Sequence, residues 1–209
     1  MDEDKRTKTL VIPTYSLDSR LINLAYKCAT SHKKQVDQII ISEDGGLYSK
    51  KLKDVSDIYI YRHSNIGFTK NVNLAWEIVK TDFVIIANSD TFLKDGNLRD
   101  LCVNGMVTCP NFKNKEITTN GFSGSYFCVP KEIKSKYGML DERLKNFESD
   151  VDYYERIKHI FRIESRVKIY HYKAQTLKRS DLDTKYESTK DAEIYRKIII
   201  ENYPERKIW

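Results

Sequence analysis

The chain has 209 residues, 40% of them hydrophobic and 32% charged, with only 8 Gly and 4 Pro. That is enough apolar content for one large domain, or two small halves sharing a core, and it excludes a disordered chain. Lys and Arg outnumber Asp and Glu by 36 to 30, a net charge of +6, which suits an anionic ligand but falls short of a dedicated nucleic-acid binder.

The first residues, Met1-Asp-Glu-Asp-Lys-Arg6, carry charge and no apolar run, so no signal peptide is expected. Nothing approaches the ~20 apolar residues of a membrane-spanning helix, and the expectation is a soluble, cytoplasmic protein. Thr9-Leu-Val-Ile-Pro-Thr-Tyr15 reads as a first strand, stopped by Pro13, which cannot donate to a central ladder. Ser16-Leu-Asp-Ser19 offers helix caps, and Leu21, Leu24, Ala25 and Cys28 follow at helical spacing. Val36 to Ile41 predicts a second strand ending in Ser42-Glu-Asp-Gly-Gly46, and Ile58-Tyr-Ile-Tyr61 a third. After Asn65-Ile-Gly-Phe68, a helix presents Val72, Ala75, Trp76 and Val79 on one face. Phe83-Val-Ile-Ile-Ala87, a short apolar run ending abruptly in Asn88-Ser-Asp-Thr91, reads as a fourth strand buried on both faces.

Strands alternating with helices predict a parallel, doubly wound α/β sheet with right-handed crossovers. In such a sheet ligands bind beyond the carboxyl ends of the strands. Three polar strand ends, at Thr14, at Glu43-Asp44-Gly45-Gly46 and at Asn88-Ser89-Asp90, would then converge on one edge. After about residue 100 the pattern changes. Strand-like runs begin at Gly105 and Gly121 with no long helix between them, and helices are expected from Lys131 and over Asp150 to about Phe161. Val167-Lys-Ile-Tyr-His171 is the last strand, and Tyr186 to Asn202 a terminal helix. The cysteines, Cys28, Cys102, Cys109 and Cys128, form no C-x-x-C pair and read as reduced, buried small hydrophobes rather than zinc ligands.

Taken in order, Val11-Ile-Pro-Thr-Tyr15, Ile41-Ser-Glu-Asp-Gly-Gly46, Asn65-Ile-Gly-Phe68 with Asn71 and Asn73, and Asn88-Ser-Asp-Thr91 resemble family 2 glycosyltransferases of the GT-A fold. The likeness continues through Gly121-Phe-Ser-Gly124, Leu140-Asp-Glu142 and Phe147-Glu-Ser-Asp-Val-Asp152, and covers about residues 9 to 175. It implies a single Rossmann-like GT-A domain over 1–209, with a mostly parallel central sheet flanked by helices and a smaller mixed half. Residues to about 104 would bind the nucleotide-sugar, and 105–209 the acceptor, with the catalytic base and the C-terminal helix.

The resemblance implies inverting transfer of a hexose or deoxyhexose from a UDP-sugar to a hydroxyl of a glycan or glycoprotein. Mn²⁺ or Mg²⁺ would neutralise the diphosphate leaving group through a few oxygen ligands. Asp90 takes the metal; Asn88 stands where the family's Asp-x-Asp pattern has its first acid. His171 matches the histidine that often adds a ligand from the late strand, while Lys173 and Lys178 are alternative phosphate contacts. Glu43 or Asp44 would hold the nucleoside by accepting hydrogen bonds, Glu43 being the better match to the family's acidic residue. Pro13, Thr14, Tyr15 and Ser89 belong to the donor loops, Asn65 and Gly67 bring backbone close to the donor, and Lys70 approaches the diphosphate. Asp150 matches the second acid of the family's pair and is the expected general base, with Ser149 in place of the first. Glu148 is offset by one residue, and Asp152 points elsewhere on the helix. Phe122, Tyr126, Tyr153, Tyr154 and Trp76 are either sugar-stacking rings or core.

Two other readings make distinct demands. A nucleotidyltransferase needs a glycine-rich basic loop after the first strand, whereas Pro13 to Asp18 contains no glycine. A non-catalytic nucleotide-sugar or nucleic-acid module is motivated by the charge, but the chain has no Gly-Lys-Ser/Thr phosphate loop and no nucleic-acid motif.

Overall fold

Alternation along the buried strands sets the layering. Leu10, Ile12, Ile39, Ile41, Phe83 and Ile85 enter one apolar cluster, and their neighbours Val11, Ile40, Val84 and Ile86 enter another. A sheet covered on both faces requires this continuous apolar patterning. The computed structural model describes residues 6–112, 122–172 and 184–202.

The first half comprises β1 (Lys8–Thr14), α1 (Ser19–His32), β2 (Gln38–Asp44), α2 (Lys50–Val55), β3 (Ile58–Arg62), α3 (Phe68–Glu77) and β4 (Phe83–Ala87). It is followed by β5 (Thr91–Asp95), β6 (Val107–Phe112), β7 (Tyr126–Pro130), α4 (Lys131–Tyr137), α5 (Ser149–Ile157), β8 (Phe161–His171) and α6 (Thr184–Asn202). The eight strands form one sheet in the order β3-β2-β1-β4-β7-β6-β8-β5. Helix α1 packs on the first cluster, while α3 and α5 pack on the second. Asp18 caps α1, its Oδ1 accepting from the Arg20 and Leu21 amides, both at 2.8 Å.

The four N-terminal strands β3-β2-β1-β4 are parallel, as their spacing predicts. Beyond β4 the sheet is mixed: β7 runs antiparallel to β4 and to β6, and β8 is parallel to β6 but antiparallel to β5. Pro13 does not stop β1, which runs on to Thr14 paired with β2. Pairing with β4 ends at Val11↔Ile86, so the missing amide falls where β1 has a neighbour on only one side. Strand β5 is not legible in the sequence, because its partner β8 lies far along the chain. β8 spans 11 residues rather than the short run from Val167. Helix α5 ends at Ile157, passing through a 3-10 turn at Lys158–Ile160.

All four cysteines are buried thiols outside any disulfide. Trp76, Phe122, Tyr126 and Tyr153 are buried in the two clusters, and Tyr154 packs against one of them, so these rings are core. Among the described residues no helix is long and apolar enough to cross a membrane.

Candidate active site

The carboxyl ends of β1, β2 and β4 do converge, on a cavity of about 460 Å³. From this edge it is lined by Pro13, Thr14, Tyr15, Asp44, Asn65, Asn88, Ser89 and Asp90. Antiparallel pairing brings the other wall. The register Ala87↔Tyr126 places the residues before β7 beside the end of β4, and the Asn88 amide donates to the Ser125 carbonyl at 2.8 Å. Ser123, Gly124 and Ser125 therefore line the cavity, as do Asn146 to Val151 at the start of α5.

Asp90 and His171 meet because β5 and β8 pair with Thr91 opposite His171. The Tyr172 amide donates to the Asp90 carbonyl at 3.0 Å, and His171 Nε2 lies 3.1 Å from Asp90 Oδ1, both side chains being 7% exposed. Asn88 lines the same cavity, and its Oδ1 is buried with no hydrogen-bond partner among the described residues. Asn88 is held through its backbone, its carbonyl accepting from the Thr91 amide at 3.0 Å and from Thr91 Oγ1 at 2.7 Å.

The two acids ending β2 have different tasks. Glu43 is fully buried and does not line the cavity. Its carboxylate accepts from Thr14 Oγ1 at 2.8 Å, from the Ser16 amide at 2.9 Å and from the Gly46 amide at 3.1 Å. It ties the loop after β1 to the loop after β2. Asp44 faces the cavity. Its two oxygens accept from the Ile66 and Gly67 amides, both at 3.0 Å, and Arg62 pairs with it at 3.5 Å. Asn71, inside α3, receives the Ser42 hydroxyl at 2.7 Å and a hydrogen bond from Arg62, and gives one to the Ser42 carbonyl at 3.0 Å. Asn73 brackets the Leu140-Asp-Glu142 turn, donating to the Leu140 carbonyl at 2.8 Å and to Glu142 at 3.1 Å.

Gly67 and Lys70 do not line the cavity, and Lys70 is exposed. Gly67 adopts φ +96°, and a Cβ there would sit 2.5 Å from Lys145 Cγ; its clearance admits the Lys145 chain. Lys173 and Lys178 lie outside the described residues, as does Gly121.

Asp150 sits in the first turn of α5, where the helix dipole favours a carboxylate. Its Oδ2 accepts from the Gly124 amide at 3.2 Å, and its Oδ1 from the Val151 amide at 3.0 Å. A Cβ on Gly124 would come within 2.5 Å of the Asp150 side chain, so only glycine permits this approach. Asp152 turns away to Arg156 at 2.8 Å, and Arg156 in turn donates to the Tyr137 and Met139 carbonyls.

Sequence reasoning missed Asp191. It lies on α6, 1% exposed, and accepts from three successive amides: Lys145 at 3.2 Å, Asn146 at 2.8 Å and Phe147 at 2.8 Å. The same segment is held from α3, where the Phe68 amide donates to Asn146 Oδ1 and the Thr69 amide to the Lys145 carbonyl, both at 3.0 Å. Only an apolar helical stripe with an acid inside it marks Asp191 in the sequence.

The donor set tests whether a divalent cation belongs here. The cavity is lined by four carboxylates, Asp44, Asp90, Glu148 and Asp150, and by no Lys or Arg among the described residues. A diphosphate in that setting requires a counter-cation. No group of three or more His, Cys, Asp or Glu side chains forms a metal cage among the described residues. Asp90 and His171, with Asn88 in the same lining, instead fit the sparse donor set that would suit Mg²⁺ or Mn²⁺ if phosphate oxygens and water completed its shell.

This architecture is the GT-A glycosyltransferase fold. The first 349 residues of S. aureus TarS superpose with a TM-score of 0.62 at 14% identity, over 94% of this chain and 72% of that one. Glucosyl-3-phosphoglycerate synthase from Mycobacterium tuberculosis, in complex with Mn²⁺, UDP-glucose and phosphoglyceric acid, gives a TM-score of 0.60 at 9% identity, over 94% and 80%. The mannosyltransferase PcManGT from Pyrobaculum calidifontis, in complex with GDP-Man and Mn²⁺, gives 0.60 at 12% identity, over 83% and 59%. No protein-family model and no curated protein sequence matches the chain.

Proposed function

We propose that this protein is a metal-dependent inverting glycosyltransferase that moves a hexose or deoxyhexose from a UDP-sugar to a hydroxyl of a glycan or glycoprotein. The observation that carries this reading is the single cavity that holds Asp44, the Asp90–His171 pair and Asp150 on different walls. Neighbours of the same fold in complex with UDP, with UDP-glucose and Mn²⁺, and with GDP-Man and Mn²⁺ support it.

In this reading residues to about 104 bind the donor and 105–209 the acceptor. Asp44 accepts hydrogen bonds from the nucleoside, with Thr14, Tyr15 and Asn65 around it. Glu43 holds the two loops together. Asp90 and His171 hold the cation, Asn88 contributing an uncharged oxygen, and a bound divalent ion supplies counter-charge to the diphosphate. Asp150 takes the proton of the acceptor hydroxyl as that oxygen attacks the anomeric carbon and the nucleoside diphosphate leaves with the bonding electrons. Gly124 and Val151 direct amides at the Asp150 carboxylate, which fixes its orientation.

The test is transfer, or donor hydrolysis, from UDP-sugars with Mn²⁺. Asp90→Ala and Asp150→Asn are each expected to lose at least ~10²-fold in kcat, and Asn88→Ala substantially less than Asp90→Ala. Unchanged turnover in both aspartate variants would sink the assignment. Tight oligonucleotide binding with no UDP signal would favour a binding module instead.

A further inference from the structure

Three of the four carboxylates facing the cavity have partners in the fold: Asp44 the Ile66 and Gly67 amides, Asp90 His171, and Asp150 the Gly124 and Val151 amides. Glu148 is the exception. Its carboxylate makes no hydrogen bond to any described residue, and it does not cap the helix it precedes. It is also the only non-glycine residue at positive φ among the described residues, at φ 60° and ψ −9°. A glutamate in that region is strained, and such strain persists only where the surroundings over-determine it.

Those surroundings are explicit. Asp191 of α6 draws in the amides of Lys145, Asn146 and Phe147, the three residues before Glu148. Asn146 and Lys145 are fastened to the start of α3. On the other side, the Glu148 carbonyl accepts from the Asp152 amide at 2.9 Å, beginning α5. The backbone therefore enters the helix with one left-handed step, and that step leaves the Glu148 side chain at the cavity two residues from Asp150. Burial is the largest cause raising its pKa, followed by the like charges of Asp150 and Asp191. These are costs that a purely structural glutamate has no reason to bear.

We infer that Glu148 is a substrate-binding carboxylate that accepts hydrogen bonds from hydroxyls of the sugar lying against Asp150, and that Asp191 is the positioning residue that holds it there. The inference rests on the glycosyltransferase reading. Paired hydroxyls are the donors that a carboxylate receives well, and they supply the partner that this one lacks in the fold. They come from the donor sugar or from the acceptor sugar, and the experiment separates the two.

Glu148→Gly, Glu148→Gln, Asp191→Ala and Asp191→Asn are compared with wild type. The measurements are thermal melting, calorimetric binding of UDP and of UDP-sugars with Mn²⁺, and steady-state kinetics varying each substrate. Glu148→Gly relieves the left-handed strain, so its melting temperature is expected to rise while UDP binds as in wild type. Its sugar-dependent step is expected to weaken by roughly tenfold or more, the loss of a charged hydrogen bond. Loss of the added affinity of UDP-sugar over UDP assigns the contact to the donor sugar; a raised KM for acceptor alone assigns it to the acceptor. Glu148→Gln, which keeps one acceptor oxygen, should fall between. Asp191→Ala should reproduce the same KM change in its folded fraction, and Asp191→Asn should restore part of it. A merely structural Asp191 would lower the folded fraction and leave KM untouched.

Wild-type sugar-dependent binding and kinetics in Glu148→Gly would overturn this inference alone. No nucleotide-dependent signal from wild type would overturn the glycosyltransferase reading, and this inference with it.

Discussion

His32 is fully buried on α1, its ring stacked on Tyr126 with centroids 5.6 Å apart. Its Nδ1 lies 2.7 Å from the Cys28 carbonyl, which can only accept, so Nδ1 carries the proton, and Nε2, which has no partner among the described residues, is the basic nitrogen. Burial pushes its pKa from 6.5 down to about 4. Between about pH 4 and 6.5 the unfolded chain therefore binds more protons than the folded one, and stability falls as pH falls through that window. The effect is on the order of 3 kcal/mol. Urea titrations at pH 7 and pH 4.5 should show this loss, and His32→Phe should flatten it. At the same scale, sequence reading left the choice between Glu43 and Asp44 open while favouring Glu43, whereas the cavity is lined by Asp44. Their adjacency on one strand sends them to opposite faces, but only the loops packed around β2 decide which face holds the cavity. Glu43 meets Thr14, Ser16 and Gly46 there, and Asp44 meets the cavity.

Among the elements, α6 acts beyond its own burial. Through Asp191 it holds the segment leading into α5, and through Glu201 it reaches Arg143 at 2.9 Å. The Arg143–Glu201 pair is largely exposed, so its loss should change stability by less than about 1 kcal/mol. Asp191→Ala instead leaves three amides without their acceptor. A loss of roughly 3 kcal/mol is expected in denaturant unfolding. Hydrogen exchange should quicken first at Lys145, Asn146 and Phe147, and later, if at all, in β1 and β4. Quickening spread evenly over the sheet would mean that α6 acts by general packing. The existence of α6 was legible from its apolar spacing, because a helix declares itself locally. The carboxylate's partners were not, since they are backbone amides and carry no side-chain signature.

Over the whole molecule, a chain of net charge +6 surrounds a cavity whose described lining contains four carboxylates and no Lys or Arg. Net charge therefore gives no guide to the site, whose local sign is the reverse. Nucleotide binding should accordingly depend on metal: UDP alone is expected to leave the melting temperature nearly unchanged. UDP with Mn²⁺ at about a hundred times its Kd should add about 2.7 kcal/mol, or roughly 5–10 °C for a chain of this size. Removing the metal with EDTA should abolish the shift, and Asp90→Ala should greatly reduce it.

The sequence by itself determined the parallel half of the sheet, because β1 to β4 alternate with helices at short range and each ends in polar residues that mark its carboxyl edge. It also marked half of the candidate cavity's described lining: Pro13 to Tyr15, Asp44, Asn65, Asn88 to Asp90, Asp150 and His171. Only the tertiary structure decided the mixed order of β7, β6, β8 and β5, which depends on pairing between distant segments. It alone brought His171 to Asp90 through the β5–β8 register, and it alone gave Asp191 its three amides. Local pattern records what each segment prefers; which segments meet is set by long-range packing, whose partners leave no spacing to read.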